Sequence, residues 1–268
     1  MVTSPRGLAP MFTLLVVGCA VLGLAVGSFL NVVIYRVPRG QSIVAPPSAC
    51  PHCAVTITPR DNVPVLSWLI LRGRCRACHA PISPRYPIVE LATAILFASL
   101  AARLGFNWAL PAFLVVFAGL VALAWIDVER LLLPRAIVYP VLALELAGLL
   151  VAAALTGSWG RLVVALASGA VWFLLFFSIN TANSQWLGFG DVRLSPVLGF
   201  ALGWLGVRYV LLGFFAANLI GAVVSLTLIA LKRVSRQQQI PYGLYLALGT
   251  AVAVFAGPVL LAPFRGYA

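Results

Sequence analysis

Eight apolar runs, each ended by charge or by a Gly/Pro turn, dominate the chain: Met11 to Tyr35, Ile88 to Ala102, Trp108 to Ile126, Ile137 to Leu155, Leu162 to Ile179, Val192 to Leu205, Tyr209 to Leu231 and Tyr242 to Leu261. A helix needs about 20 apolar residues to cross a bilayer core, and the 268 residues are 62% hydrophobic and only 9% charged. A soluble domain carries about 25% charged residues, so that class is excluded. Backbone polar groups in lipid must be satisfied within the segment, which leaves the helix as the form for such runs. The expected fold is all-α: a polytopic membrane helix bundle of about eight transmembrane helices. The second and sixth runs are short for a span, and seven spans is the alternative. The first run exceeds a signal-peptide core, follows a single Arg and lacks a small-x-small cleavage site, so it reads as a retained span.

The net charge of +12 lies in short connections between apolar runs, not on a polar domain. That distribution fits membrane orientation and no nucleic-acid partner. With the amino terminus outside, one set of connections holds Arg36, Arg39, Arg60, Arg72, Arg74, Arg76, Arg85, Arg130, Arg135, Arg193, Lys232, Arg233 and Arg236, which is 13 of the 18 Lys and Arg. The other set holds Arg6, Arg103, Arg161, Arg208 and Arg265. The positive-inside rule places the first set in the cytosol.

The one polar segment large enough for a small domain is the cytosolic loop from Arg36 to Pro87, which holds four of the five cysteines. Cys50-Pro-His-Cys53 and Cys75-Arg-Ala-Cys78 are two C-x2-C knuckles with 21 residues between them, a spacing that closes a four-thiolate zinc site. Cytosolic thiols stay reduced, which disfavours a disulfide framework, and Arg74 and Arg76 help to hold thiolates ionised. A closed four-sulfur site leaves no position for water, so the expected role of Zn2+ is structural. His52 and His79 are the alternative ligands, and Cys19, alone in the first run, reads as packing. With two histidines in all and no H-E-x-x-H pair, a zinc protease is excluded.

Acids are costly in a bilayer, and the chain has only six. Asp127 directly follows the third run and Asp191, within Gly188-Phe-Gly-Asp191, directly precedes the sixth, so both reach the cytosolic side at the same depth. Two facing carboxyls that share one proton can run aspartyl-protease chemistry, one taking a proton from water while the other polarises a carbonyl. The competing reading pairs them with Arg130 and Arg193 as salt bridges. Glu90 opens the second span, where capping of the helix is the alternative to function. Glu145, mid-span, suits a helix–helix hydrogen bond; Asp61 suits a cap or turn, and Glu129 suits solvent.

In order along the chain, Gly27-Ser-Phe-Leu-Asn-Val-Val-Ile-Tyr-Arg36-Val-Pro-Arg, the two knuckles enclosing Asp61-Asn-Val-Pro-Val-Leu-Ser-Trp-Leu69, Ile82-Ser-Pro-Arg-Tyr-Pro-Ile-Val-Glu90, Asp127 with Leu133-Pro134, Gly188-Phe-Gly-Asp191-Val-Arg-Leu and Ile240-Pro-Tyr-Gly-Leu-Tyr-Leu246 resemble the type IV prepilin leader peptidase family, over nearly the whole length. The resemblance implies membrane aspartyl proteases of the G-x-G-D kind that cut the basic leader from prepilins and pseudopilins at the cytosolic face of the bacterial inner membrane. It implies Asp127 and Asp191 as the catalytic pair and, in bifunctional members, N-methylation of the new amino terminus with S-adenosylmethionine. Glu90 is the candidate residue for that second activity, since no Gly-rich cofactor turn of the Rossmann kind exists in the chain. The implied division is a first helix over 1–35, a four-cysteine zinc-binding, methyltransferase-associated loop over 36–87, and a peptidase part over 88–268. Two departures stand out: Arg135 replaces the acid usual after Leu133-Pro134, and Tyr242-Gly243-Leu244 replaces a Phe-Gly-Pro block. The alternatives are a peptidase without methylation and, in a different class, a membrane scaffold or transporter. Oligomeric state is not legible.

Overall fold

The computed structural model describes residues 5–185, 187–233 and 240–263. Arg236 and Arg265, counted above for orientation, and the polar connection at 236–239 lie outside them. Each of the eight apolar runs is a helix: α1 (Pro5–Arg36), α3 (Arg85–Leu104), α4 (Leu110–Arg130), α5 (Arg135–Thr156), α6 (Trp159–Ala182), α7 (Phe189–Leu205), α8 (Val207–Ala230) and α9 (Tyr242–Leu260). The loop adds a five-residue helix, α2 (Leu66–Ile70), and two short 3-10 turns at Val37–Arg39 and Pro59–Asp61. Seven of these helices are long and apolar enough to cross a membrane. The exception is α7, whose 17 residues span about 25 Å against a hydrocarbon core of about 30 Å.

The chain forms two compact units, Met1–Phe106 and Asn107–Ala268. In the first, α1 packs along α3. Gly27 allows the close approach: a Cβ there would stand 2.7 Å from the Glu90 Cα. The Asn31 Nδ2 donates to the Tyr86 carbonyl at 3.1 Å, a second tie between the two helices. The loop between them begins with Arg36, whose guanidinium donates to the Ser42 and Pro46 carbonyls at 2.9 and 2.7 Å.

In the second unit, α7 is the enclosed helix, with buried residues all along its length. It packs against α6 and also against α5, α8 and α9. A helix surrounded by protein need not match the bilayer thickness, which accounts for its shortness. Helix α8 is the opposite case: of 24 residues only Val210, Gly213, Ala217 and Gly221 are buried. Large apolar side chains such as Phe215 and Leu219 face outward, about two-thirds exposed, as lipid-facing residues do.

Candidate active site and metal centre

The two knuckles in the loop are built alike. In the first, the Cys50 N–H donates to the Val55 carbonyl and the Ala54 N–H returns to the Cys50 carbonyl, both at 2.9 Å. In the second, Cys75 pairs with Ala80 at 2.8 Å and His79 with Cys75 at 3.0 Å. Ala54 and His79 occupy the same left-handed position, φ 58° and 57°, so His79 serves the turn. The four sulfurs of Cys50, Cys53, Cys75 and Cys78 lie within 4.8 Å of one another, with Cys50 to Cys78 at 3.8 Å and Cys53 to Cys75 at 4.0 Å. A tetrahedral zinc with Zn–S bonds of about 2.3 Å separates its sulfurs by about 3.8 Å, so the donor set fits that ion. Neither histidine joins the cluster.

The electrostatics of the four thiols also suit a cation. Backbone N–H groups of Cys53 and His52 hold the Cys50 thiol down at about 6. The Ala80 N–H favours a Cys78 thiolate, but desolvation and the thiols of Cys53, Cys75 and Cys50 outweigh it and push Cys78 up to about 12. Four thiolates this close repel one another, and a divalent ion relieves the conflict.

Asp61, expected as a cap or turn residue, forms a forked ion pair with Arg76 at 2.6 to 3.0 Å. The guanidinium keeps its carboxyl below the ordinary range. This pair ties the stretch before α2 to the second knuckle.

Glu90 is buried on α3, and its Oε2 accepts the Val65 N–H at 2.7 Å. Val65 has φ 62° and ψ −51°, and the Leu66 N–H reaches back to the Pro64 carbonyl at 2.6 Å. This is the strained form of the γ-turn, an outlier for a β-branched residue. The carboxylate of Glu90 therefore does not cap its own helix; it pins a strained turn of the loop. Glu90 and Val65 line a cleft of about 560 Å³ within the first unit, together with Tyr35, Trp68, Tyr86 and the arginines Arg39, Arg60 and Arg85.

In the second unit Asp127 lies in the last turn of α4 and Asp191 in the first turn of α7, both buried. The Asp127 Oδ2 accepts the Leu244 N–H at 3.2 Å, so this carboxylate covers the amino terminus of α9. The Asp191 Oδ1 is buried without a hydrogen-bond partner among the described residues. Neither aspartate pairs with Arg130 or Arg193 among the described residues; the Arg193 guanidinium stacks over the Phe189 ring, 4.7 Å from its centroid. Tyr242, the first residue of α9, donates its hydroxyl to the Asn218 Oδ1 at 3.3 Å.

The remaining acids are placed elsewhere. Glu129 is exposed and accepts the Trp125 indole N–H at 2.7 Å. Glu145 is fully buried on α5, and neither carboxyl oxygen has a hydrogen-bond partner among the described residues. Cys19 is a buried packing residue on α1.

Two family models match the chain: the bacterial peptidase A24 N-terminal domain over residues 21–104 and the type IV leader peptidase family over residues 113–226. A prepilin leader peptidase/N-methyltransferase of Stutzerimonas stutzeri is 36% identical over 278 aligned residues, covering 93% of this chain and 94% of that one. The chain belongs to the type IV leader peptidase family. Relatives of the same name in Aeromonas hydrophila, 37% identical over 87% of this chain and 88% of that one, and Myxococcus xanthus, 43% identical over 78% and 62%, agree. No solved structure matches.

Sequence reasoning about this member of the type IV leader peptidase family missed two participants. The Val65 backbone carries no side-chain signal for its contact with Glu90. The Leu244 N–H that meets Asp127 is equally anonymous, although the Pro241-Tyr-Gly start of α9 was open to reading as a helix amino terminus.

Proposed function

We propose that this protein cleaves the leader peptide of prepilins or pseudopilins at the cytosolic face of the bacterial inner membrane, and N-methylates the amino terminus so exposed. The observation that carries the peptidase half is the pair of buried carboxyls, Asp127 and Asp191, at one end of the second unit. Backbone donors at the start of α9 favour negative charge on Asp127. The unpartnered Oδ1 of Asp191 is then the group left to carry the shared proton.

In the reaction, Asp127 takes a proton from water as the water oxygen bonds to the scissile carbonyl carbon. Asp191 donates its proton to the carbonyl oxygen, giving a gem-diol. Collapse returns the diol proton to an aspartate, breaks the C–N bond and passes a proton to the departing amine. The leader leaves with a carboxyl terminus, and the pilin keeps a free amino group.

The methylating half belongs to the first unit, with the loop at 36–87 as its functional part and the peptidase assigned to 88–268, although α3 packs with the first unit. S-Adenosylmethionine would supply the methyl group, and the cleft offers what that molecule needs. Aromatic faces of Tyr35, Trp68 and Tyr86 suit its adenine and sulfonium, arginines suit its carboxylate, and Glu90 suits its ammonium. Cys50, Cys53, Cys75 and Cys78 would hold a structural Zn2+ that fixes the walls of the cleft.

The test is the intact mass of a prepilin co-expressed with this protein or with its Asp191→Asn variant. Loss of the leader plus the mass of one methyl group, both absent with the variant, is the expected result. Leader loss without the methyl group would leave a peptidase alone, and processing that survives the variant would overturn the mechanism.

A further inference from the structure

Four residues, Leu131 to Pro134, connect α4 to α5. Leu131 takes the left-handed conformation, φ 53° and ψ 44°, and its N–H donates to the Asp127 carbonyl at 2.8 Å. Pro134 restricts the residue before it to extended backbone. Of the three leucines, Leu131 and Leu132 are nearly half exposed, whereas Leu133 is 6% exposed.

The Leu133 side chain turns inward between the first turns of α7 and α9. A Cβ on Gly190 would lie 3.0 Å from the Leu133 Cβ. On Gly243 it would lie 3.0 and 3.1 Å from the two Leu133 methyl carbons, and 3.0 Å from the Asp127 Oδ2. Neither glycine has a positive φ, so what each supplies is space. Leu133 thus rests on two bare Cα positions, one adjoining Asp191 and the other in the turn whose backbone holds Asp127.

We infer that Leu133 is a positioning residue for the peptidase reaction: its bulk, seated between Gly190 and Gly243, sets the separation of the Asp127 and Asp191 carboxyls. The inference rests on those two aspartates being the catalytic pair. Its physical basis is that side chains in a close-packed junction transmit size changes to their neighbours. Here the neighbours are the two helix starts that carry the reacting groups. A shift of about 1 Å in such groups can cost about a hundredfold in rate.

The experiment measures kcat and KM for cleavage of a full-length prepilin by the full-length protein in phospholipid nanodiscs, with folded fraction at the assay temperature followed by intrinsic fluorescence. Asp127→Asn and Asp191→Asn come first; if either cleaves at the wild-type rate, the catalytic reading falls and this inference with it. With both inactive, Leu133→Ala is expected to lower kcat about a hundredfold with KM unchanged and the protein still folded. Leu133→Met, which keeps the volume, is expected to restore most of the rate. Gly190→Ala, whose added methyl group would meet the Leu133 Cβ at 3.0 Å, should lower kcat with KM unchanged. Wild-type kcat in Leu133→Ala would overturn the inference. So would a loss that merely follows the unfolded fraction, or a Leu133→Met variant as impaired as Leu133→Ala.

Discussion

The four-sulfur cluster of the first unit and the two-carboxyl cluster of the second are both polar sites, built in opposite ways. The cysteines come from two matching turns in one loop, and the sulfur spacing is set by local backbone hydrogen bonds within each knuckle. The aspartates come from the end of one long helix and the start of another, and the start of a third helix holds one of them. A local site of the first kind would depend on a bound metal for order. A site of the second kind depends on packing, so its failures come from changes in helix junctions as well as from loss of the acids. The two should therefore fail separately.

The largest expected effect is on the carboxyl cluster. Asp127→Asn and Asp191→Asn each remove a proposed proton carrier, and general acid–base groups contribute about 10² to 10⁴ in rate. Leader cleavage should fall by about that factor or below detection, read by intact mass of the prepilin, while zinc content stays at one ion per chain. Next in size is the converse change. Cys50→Ser with Cys75→Ser removes one ligand from each knuckle, and structural zinc contributes on the order of 10 kcal/mol to folding of such a module. Zinc measured by atomic absorption should be lost, and methylation of a pre-cleaved pilin abolished. Cleavage is expected to persist; cleavage lost in step with zinc would mean that the two clusters are not independent.

The contrast between local and assembled sites also explains what was legible in the sequence. All eight long helices were readable, because bilayer-length apolar runs admit one backbone form. The short α7 was readable as a helix while its enclosure was not, since Asp191 and Ser195 give no hint of which neighbours surround them. The set of four cysteines was complete from spacing, because the knuckle is a local object. Asp127 and Asp191 could be singled out by the cost of acids in lipid, yet the salt bridges to Arg130 and Arg193 were an equal reading until their placement excluded them. What stayed hidden was contact through backbone and bulk: Val65 at Glu90, Leu244 at Asp127, and Leu133 between two glycines. Sequence marks residue types, and these roles belong to positions.

Glu90 probes the comparison from within the first unit, with a smaller effect. Glu90→Gln keeps size but removes the charge that accepts the Val65 N–H. Strained turns of this kind cost on the order of 1 to 3 kcal/mol, so a weaker acceptor lets the turn relax and the cleft wall shift. Binding of S-adenosylmethionine, measured by calorimetry on the zinc-loaded protein, should weaken by about tenfold, with leader cleavage unchanged. Equal affinity in the variant would remove Glu90 from that site and leave it as a packing residue.

The smallest effect is expected at the Asp61–Arg76 pair, which also gives the stability of the cysteine region a pH dependence of its own. Arg76 lowers the Asp61 carboxyl in the folded loop. A lowered acid stabilises the fold above its unfolded value of about 3.9, and that contribution is lost as pH falls through the still lower folded value. Below that point Asp61 is protonated in both states and the pair contributes nothing. Asp61→Asn should therefore speed zinc release modestly at pH 7, with the difference from wild type vanishing in strong acid. Salt should shrink the difference as well, because the guanidinium is half exposed. Release rates followed with a chromogenic chelator at several pH values decide it. A difference that grows on acidification would mean that Asp61 acts through the thiols themselves and not through its clamp on the loop.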